Sequence, residues 1–386
     1  MRKNKITRRD FLKMAGVTSA GLALSACGVD VTKLPDPTIF PSLTPLPAPS
    51  TTPLPTNTPS PTQTPLPPTL RSLADKIGFE IGVYFSGTDS ESLKIASENF
   101  NHGQIFVGWQ YSEAKQNEFD LTSLKYYGNF AKENHMTTQA GMLVWSADLP
   151  DWVKHGNFNR DELITVLRNH ISKIMSPYKG KVKEWLIVNE PYLPPYRTND
   201  IFHKIIGQEY IEIAFQAARE SDPNAILIYN DTPNHSSNGF ATELTHKIVD
   251  ELKSKGLIDG VGLQMHLLQY ETTPPDKQDV ISTMKSYDIP VYVTEFDVNL
   301  RNISGTLEQR YEFQAKVYQD MLEACLESGV CKGLTVFGTK DDLSVWETIQ
   351  SLDGYSPDSA PLLFDNNSSP KPAFSAMMSV LQKYAQ

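Results

Sequence analysis

Two glutamates stand at the ends of short apolar runs. Glu190 closes Glu184-Trp185-Leu186-Ile187-Val188-Asn189-Glu190, and Glu295 follows Val291-Tyr292-Val293-Thr294. Such runs suit strands buried on both faces. An unpaired carboxylate at the tip of a buried strand costs several kcal/mol, so each glutamate is expected to point into a polar mouth. Two carboxylates facing each other across a pocket suit cleavage of a glycosidic bond. One, neutral, protonates the leaving oxygen; the other, ionised, attacks the anomeric carbon, and a retaining reaction needs them about 5–5.5 Å apart. Their mutual repulsion raises one pKa and so creates the proton donor. Asn189 is placed to hydrogen-bond a sugar hydroxyl, and His266 to bond Glu295 and keep it ionised. Trp145, Gln264, Phe337 and Trp346 complete the candidate sugar-binding shell. Asp297 is read as a cap or turn residue without a catalytic role. Neither a metal nor a cofactor is expected.

These residues need a scaffold that brings strand tips together. From Arg71 onward, short apolar strands alternate with amphipathic helices. The expected strands are Phe79–Val83, Gln104–Trp109, Thr138–Val144, Trp185–Val188, Ala225–Tyr229, Val261–Gln264, Val291–Thr294 and Gly333–Phe337. A 3.6-residue stripe runs through Leu163, Leu167, Ile171 and Ile174. A second runs from Ile205 and Ile206 through Tyr210, Ile211, Ile213 and Ala214, and a third through Phe313, Val317, Met321 and Cys325. Eight strand–helix units in residues 71–386 predict an α/β fold, a single (β/α)8 TIM barrel whose chemistry sits at the C-terminal strand ends. A doubly wound open sheet is the alternative, weakened in its nucleotide-binding form because no Gly-x-Gly-x-x-Gly follows the first strand. In the barrel, the fourth and seventh strands lie opposite each other, so Glu190 and Glu295 lean into one mouth.

The chain has 386 residues and a net charge of −10, a balance that argues against a nucleic-acid partner. Its three cysteines, Cys27, Cys325 and Cys331, form neither a disulfide scaffold nor a cysteine–histidine zinc pattern. Residues 1–27 read as an export signal: a basic start, an apolar run too short to span a bilayer, then Leu24-Ser25-Ala26-Cys27. Thr7-Arg8-Arg9-Asp10-Phe11-Leu12-Lys13 resembles a twin-arginine signal, and Cys27 is placed as a lipidated residue anchoring the protein to the outer face of the cell membrane. Residues 28–70 hold about half of the 27 prolines and no apolar periodicity, which predicts an extended, disordered linker. An anchored domain on a stiff tether faces an external polysaccharide.

The motifs resemble those of glycoside hydrolase family 10 endo-1,4-β-xylanases across nearly all of Lys76 to Tyr384. They include Trp185-x-x-Val188-Asn189-Glu190, Thr294-Glu295-Phe296-Asp297, Gly262-Leu263-Gln264-Met265-His266, Tyr229-Asn230-Asp231 and Pro361-Leu362-Leu363-Phe364-Asp365. The resemblance implies a retaining endo-β-glycanase with Glu190 as general acid/base and Glu295 as nucleophile. It also implies a sugar-binding shell of Asn189, Gln264, His266 and Trp145, and a disulfide between Cys325 and Cys331. A barrel β-glycosidase on another glycan, or a non-catalytic surface glycan binder, are the competing readings.

The departures from the family lie on strands two, three and eight. Gly141 stands where a histidine is usual, Asp148 where a glutamine is, and Phe337 where a tryptophan is. Ile105-Phe106-Val107-Gly108 brings no amide or amine ahead of Trp109, and Thr232 replaces a tyrosine. Weakened contacts to unsubstituted xylose are expected unless Asp148, Gln110, Tyr111 or Gln139 compensates, so the preferred glycan is expected to be a decorated xylan or another β-linked backbone.

Overall fold

The computed structural model describes residues 67–192, 200–348 and 358–386. The signal segment, Cys27 and the linker up to residue 66 lie outside the described residues. Helix α1 (Leu70–Ile77) opens the folded part, capped by Thr69, whose side chain accepts from Ser72 N while Ser72 returns a bond to the Thr69 backbone.

Eight parallel strands follow: β1 (Glu80–Tyr84), β2 (His102–Phe106), β3 (Thr137–Trp145), β4 (Glu184–Asn189), β5 (Ile226–Asp231), β6 (Gly260–Leu263), β7 (Val291–Val298) and β8 (Cys331–Val336). Each pairs with its neighbour in order. Ile81 of β1 lies beside Leu334 of β8, and Val261 of β6 beside Val291 of β7, which closes the sheet into a barrel. A two-residue strand, His266–Leu267, pairs with Asp297–Val298 beyond the end of β6. The closed sheet agrees with the expected barrel and excludes the open one.

The helices cover the barrel because their apolar stripes require it. Helix α2 (Ser90–Asn99) and helix α3 (Thr122–Glu133) precede α4 (Arg160–Met175), which buries Leu163, Leu167, Ile171 and Ile174 and starts at a reciprocal Asn159–Glu162 capping box. Helices α5 (Tyr210–Ser221), α6 (Thr242–Ser254), α7 (Lys277–Ser286), α8 (Leu307–Ser328) and α9 (Pro372–Tyr384) complete the ring. A disulfide joins Cys325 in the last turns of α8 to Cys331 at the start of β8.

Strand ends shift by a few residues, β7 running on to Val298 rather than Thr294, and two differences change how residues are placed. The stripe read as continuous through Ile205 and Tyr210 is broken: a short helix, Ile201–Ile205, ends before Gly207, whose φ of +86° a right-handed helix does not tolerate, and α5 begins only at Tyr210. Strand β2 ends at Phe106 rather than Trp109. Trp109 instead starts a short helix and is fully buried, stacked 3.7 Å from the His170 ring of α4.

Candidate active site

Glu190 lies one residue beyond β4, and Glu295 lies within β7. The β4 end is set by a register shift against β5 between Leu186 and Val188. Glu190 itself has a φ of +48°, an uncommon conformation for a non-glycine residue and a mark of local constraint. That turn sends its carboxylate inward, where Gln264 Nε2 donates to Oε1 at 2.9 Å and Trp145 Nε1 to Oε2 at 3.1 Å. Glu295 receives Asn230 Nδ2 on Oε1 at 2.7 Å, and His266 Nε2 lies 3.2 Å from Oε2.

The two carboxylates share one amide network. Asn189 Oδ1 accepts from Asn230 Nδ2 at 2.8 Å and from Gln264 Nε2 at 3.1 Å. Asn230 thus bridges toward Glu295 and Gln264 toward Glu190. Its own orientation is fixed by Thr294 Oγ1, which donates to Asn230 Oδ1 at 2.7 Å. The Asn189 amide nitrogen has no partner among the described residues, so its two N–H groups remain for a ligand.

His266 has carboxylates on both sides. Its Nδ1 lies 2.8 Å from Asp297 Oδ2, and that oxygen also accepts from Trp346 Nε1 at 2.7 Å. Burial alone would lower the histidine pKa. Asp297, and after it Glu295, overcome that effect and push it up to about 10, so the ring is an imidazolium donating through both nitrogens. Burial raises the Glu295 pKa; the His266 hydrogen bond and charge pull it back down, Glu190 pushes it up again, and Asn230 lowers it. The net direction is upward, set first by burial, and the imidazolium limits the rise.

The expected residues come together here: Glu190, Glu295, Asn189, Trp145, Gln264 and His266 form one hydrogen-bonded set. The aromatic residues take more specific places. Trp346 meets His266 edge to face at 5.4 Å, and Phe337 meets the same ring at 5.1 Å while stacking on Tyr84 at 4.6 Å. Asp297 is not the cap or turn residue it was expected to be, because it charges and orients His266. Its place two residues after Glu295 was the available signal, since residues i and i+2 of a strand face the same side. Asn230 carried a comparable signal, an amide at the tip of the strand next to Asn189.

The tips of β2 and β3 are different. A Cβ at Gly141 would lie 2.5 Å from Leu186 Cβ, so the space of the usual histidine is filled from β4. A Cβ at Gly108 would lie 1.9 Å from Asp148 Oδ2, so the Asp148 carboxyl fills the space above Gly108. Asp148 is 2% exposed, accepts from Gln110 N at 3.3 Å, and has its pKa pushed up by burial to about 8. Gln139 does not face the mouth: its amide donates to Glu184 Oε2 at 3.0 Å and accepts from Gln104 at 2.8 Å. Gln104 also donates to the Thr294 carbonyl at 3.0 Å, an amide of β2 that supports the residue before Glu295.

A family model described as glycosyl hydrolase family 10 matches residues 71–380. The chain belongs to glycosyl hydrolase family 10. Among relatives of this family, it is 30% identical to an endo-1,4-beta-xylanase B of Thermotoga neapolitana, over 81% of this chain and 92% of that one. It is 32% identical to an endo-1,4-beta-xylanase C of Phanerodontia chrysosporium, over 75% of this chain and 72% of that one. The fold superposes on the crystal structure of xylanase 10B from Thermotoga petrophila, solved with xylobiose, with a TM-score of 0.75 and 29% identity, covering 84% of this chain and 100% of that one. Residues 5–25 match a twin-arginine translocation signal, so this family 10 protein carries an export signal.

Proposed function

We propose that this protein is an exported retaining endo-β-glycanase that hydrolyses internal β-1,4-xylosidic bonds of xylan. The observation that carries the reading is the amide network Asn189–Asn230–Gln264, which ties two glutamates on opposite strands into one unit. Glu190 acts as the general acid. It gives its proton to the glycosidic oxygen while Glu295 attacks the anomeric carbon, forming a glycosyl–enzyme ester. Glu190 then takes a proton from water, which releases the sugar with its original anomeric configuration. His266, held by Asp297 and Trp346, keeps Glu295 ionised for attack. The free Asn189 N–H groups meet the hydroxyl beside the reacting carbon.

The test is a panel of xylan, decorated xylans, β-glucan and mannan with product-size analysis and anomeric proton NMR. Mixed short oligosaccharides of retained configuration from xylan support the reading. Single sugars alone would indicate an exo-acting glycosidase, and the absence of release from every polymer by folded protein would leave a glycan binder. With Asp148 and Gly108 at the β2 and β3 tips, the best substrate is expected to be a substituted xylan, read out as a higher kcat/KM than on the unsubstituted chain. Lipidation at Cys27 and tethering by residues 28–70 hold the barrel at the outer membrane face. Radiolabelled lipid incorporated into the wild type and lost in Cys27→Ala tests that point.

A further inference from the structure

The opposite, N-terminal end of the barrel carries a cluster that the reaction does not use. Glu80, His102 and Glu184 are the first residues of β1, β2 and β4. They offer one ligand atom each, all within 4.8 Å of one another. The His102 side chain is 2% exposed and that of Glu184 is 0% exposed.

Thr137 Oγ1 lies 2.7 Å from His102 Nδ1, 3.1 Å from Glu80 Oε1 and 3.4 Å from the Asn101 carbonyl. With the Thr137 proton given to Glu80, the ring donates from Nδ1. Nε2 is then a bare lone pair, 3.7 Å from Glu184 Oε2. That gap is too long for a hydrogen bond. Two donors bound to one ion at about 2.0–2.2 Å each and near-tetrahedral angles stand about 3.3–3.6 Å apart, so a shift of about 0.1–0.4 Å brings this pair onto a shared ion.

A second observation points the same way. Glu184 Oε1 is buried and accepts no hydrogen bond among the described residues, with the Lys183 ammonium 3.4 Å away. Lys183 also lies 2.5 Å from Glu80 Oε1, but its side chain is 43% exposed, so it stands at the rim and can swing out to solvent. The outer partners resemble those of metal ligands: Thr137 orients the His102 ring, and Gln139 donates to Glu184 Oε2 at 3.0 Å.

We propose that His102, Glu80 and Glu184 form a structural binding site for a divalent transition-metal ion of the zinc class, which ties together the starts of β1, β2 and β4. One imidazole with two carboxylates favours such an ion over calcium or magnesium, which take all-oxygen shells.

The experiment uses the mature protein stripped with EDTA and titrated with zinc chloride alone, beside calcium chloride, by calorimetry and thermal unfolding. The expected result is one zinc bound with a micromolar or tighter Kd and a rise in Tm that calcium does not produce. Glu184→Gln and His102→Gln should each weaken binding at least about tenfold while circular dichroism shows them folded. If His102→Gln does not fold, Glu80→Gln takes its place. Zinc that fails to bind, or binds equally well to the variants, overturns the proposal. The cluster is then a carboxyl pair sharing a proton beside Lys183.

Discussion

Each end of this barrel holds two glutamates and a histidine, and the two ends treat them differently. At the C-terminal mouth, Glu190 and Glu295 each receive two hydrogen-bond donors, and a third carboxylate, Asp297, makes His266 a cation. At the N-terminal end, His102 has a neutral hydroxyl for its partner, and burial holds its pKa down. The same residue types are thus set for proton transfer and nucleophilic attack at one end, and offer lone pairs to a cation at the other. What separates them is how close the carboxylates come: Asp297 bonds the His266 ring at 2.8 Å, whereas His102 bonds an alcohol and its two glutamates stand 3.7 Å away.

That contrast can be broken most severely at Glu295. Glu295→Ala should lower kcat on xylan by at least about 10⁴-fold, measured by reducing ends, because it removes the proposed nucleophile. Glu190→Gln keeps the shape but removes the proton donor. A loss of about 10²–10⁴-fold is expected, smaller on substrates with a good leaving group, since these need no protonation. An equal loss on both substrate types would deny Glu190 the role of acid.

Asp297→Asn makes the upper histidine resemble the lower one. In the wild type the imidazolium is present below about pH 10 and lost above it. Without the Asp297 charge the His266 pKa falls, so the alkaline decline of kcat/KM should move to lower pH, with roughly a ten- to hundredfold loss at pH 8. A profile that does not move would mean that Asp297 does not control His266. Trp346→Phe, which removes one donor to Asp297, should cost a few-fold in kcat, in line with a hydrogen bond worth about 1 kcal/mol.

The smallest effect expected is on stability. Asp148 has a folded pKa of about 8, above its unfolded value, so the folded state binds the extra proton and stability falls as pH rises from about 4 through 8. Asp148→Asn should flatten that slope, raising Tm by a few degrees at pH 8.5 and hardly at all at pH 4. A wild-type melting curve independent of pH over that range would contradict the buried neutral acid.

The barrel, and the meeting of Glu190 and Glu295 in one mouth, were legible because both rest on local patterns. Apolar runs of period two or 3.6 mark strands and helices, and a carboxylate ending such a run is conspicuous. The residues that escaped are those whose meaning depends on a neighbouring strand. Asp297 looks like a turn residue until His266 is placed beside it. Gly141 reads only as a missing histidine until Leu186 is seen to fill the space. Glu80, His102 and Glu184 lie far apart in sequence and meet only because three strands begin at one level. The break at Gly207 was missed because apolar spacing continues across it, while the constraint that ends the short helix lies in the backbone.

The close approach of Gly108 and Asp148 also dictates an order of mutation. A Cβ at position 108 would lie 1.9 Å from Asp148 Oδ2 and 2.4 Å from the Phe106 ring, so a side chain there requires both neighbours to move. A larger residue at 108 is eased by first shortening or redirecting residue 148. The two positions are therefore epistatic: a substitution harmful when made first becomes acceptable when made second, and libraries that vary them one at a time will miss the combination.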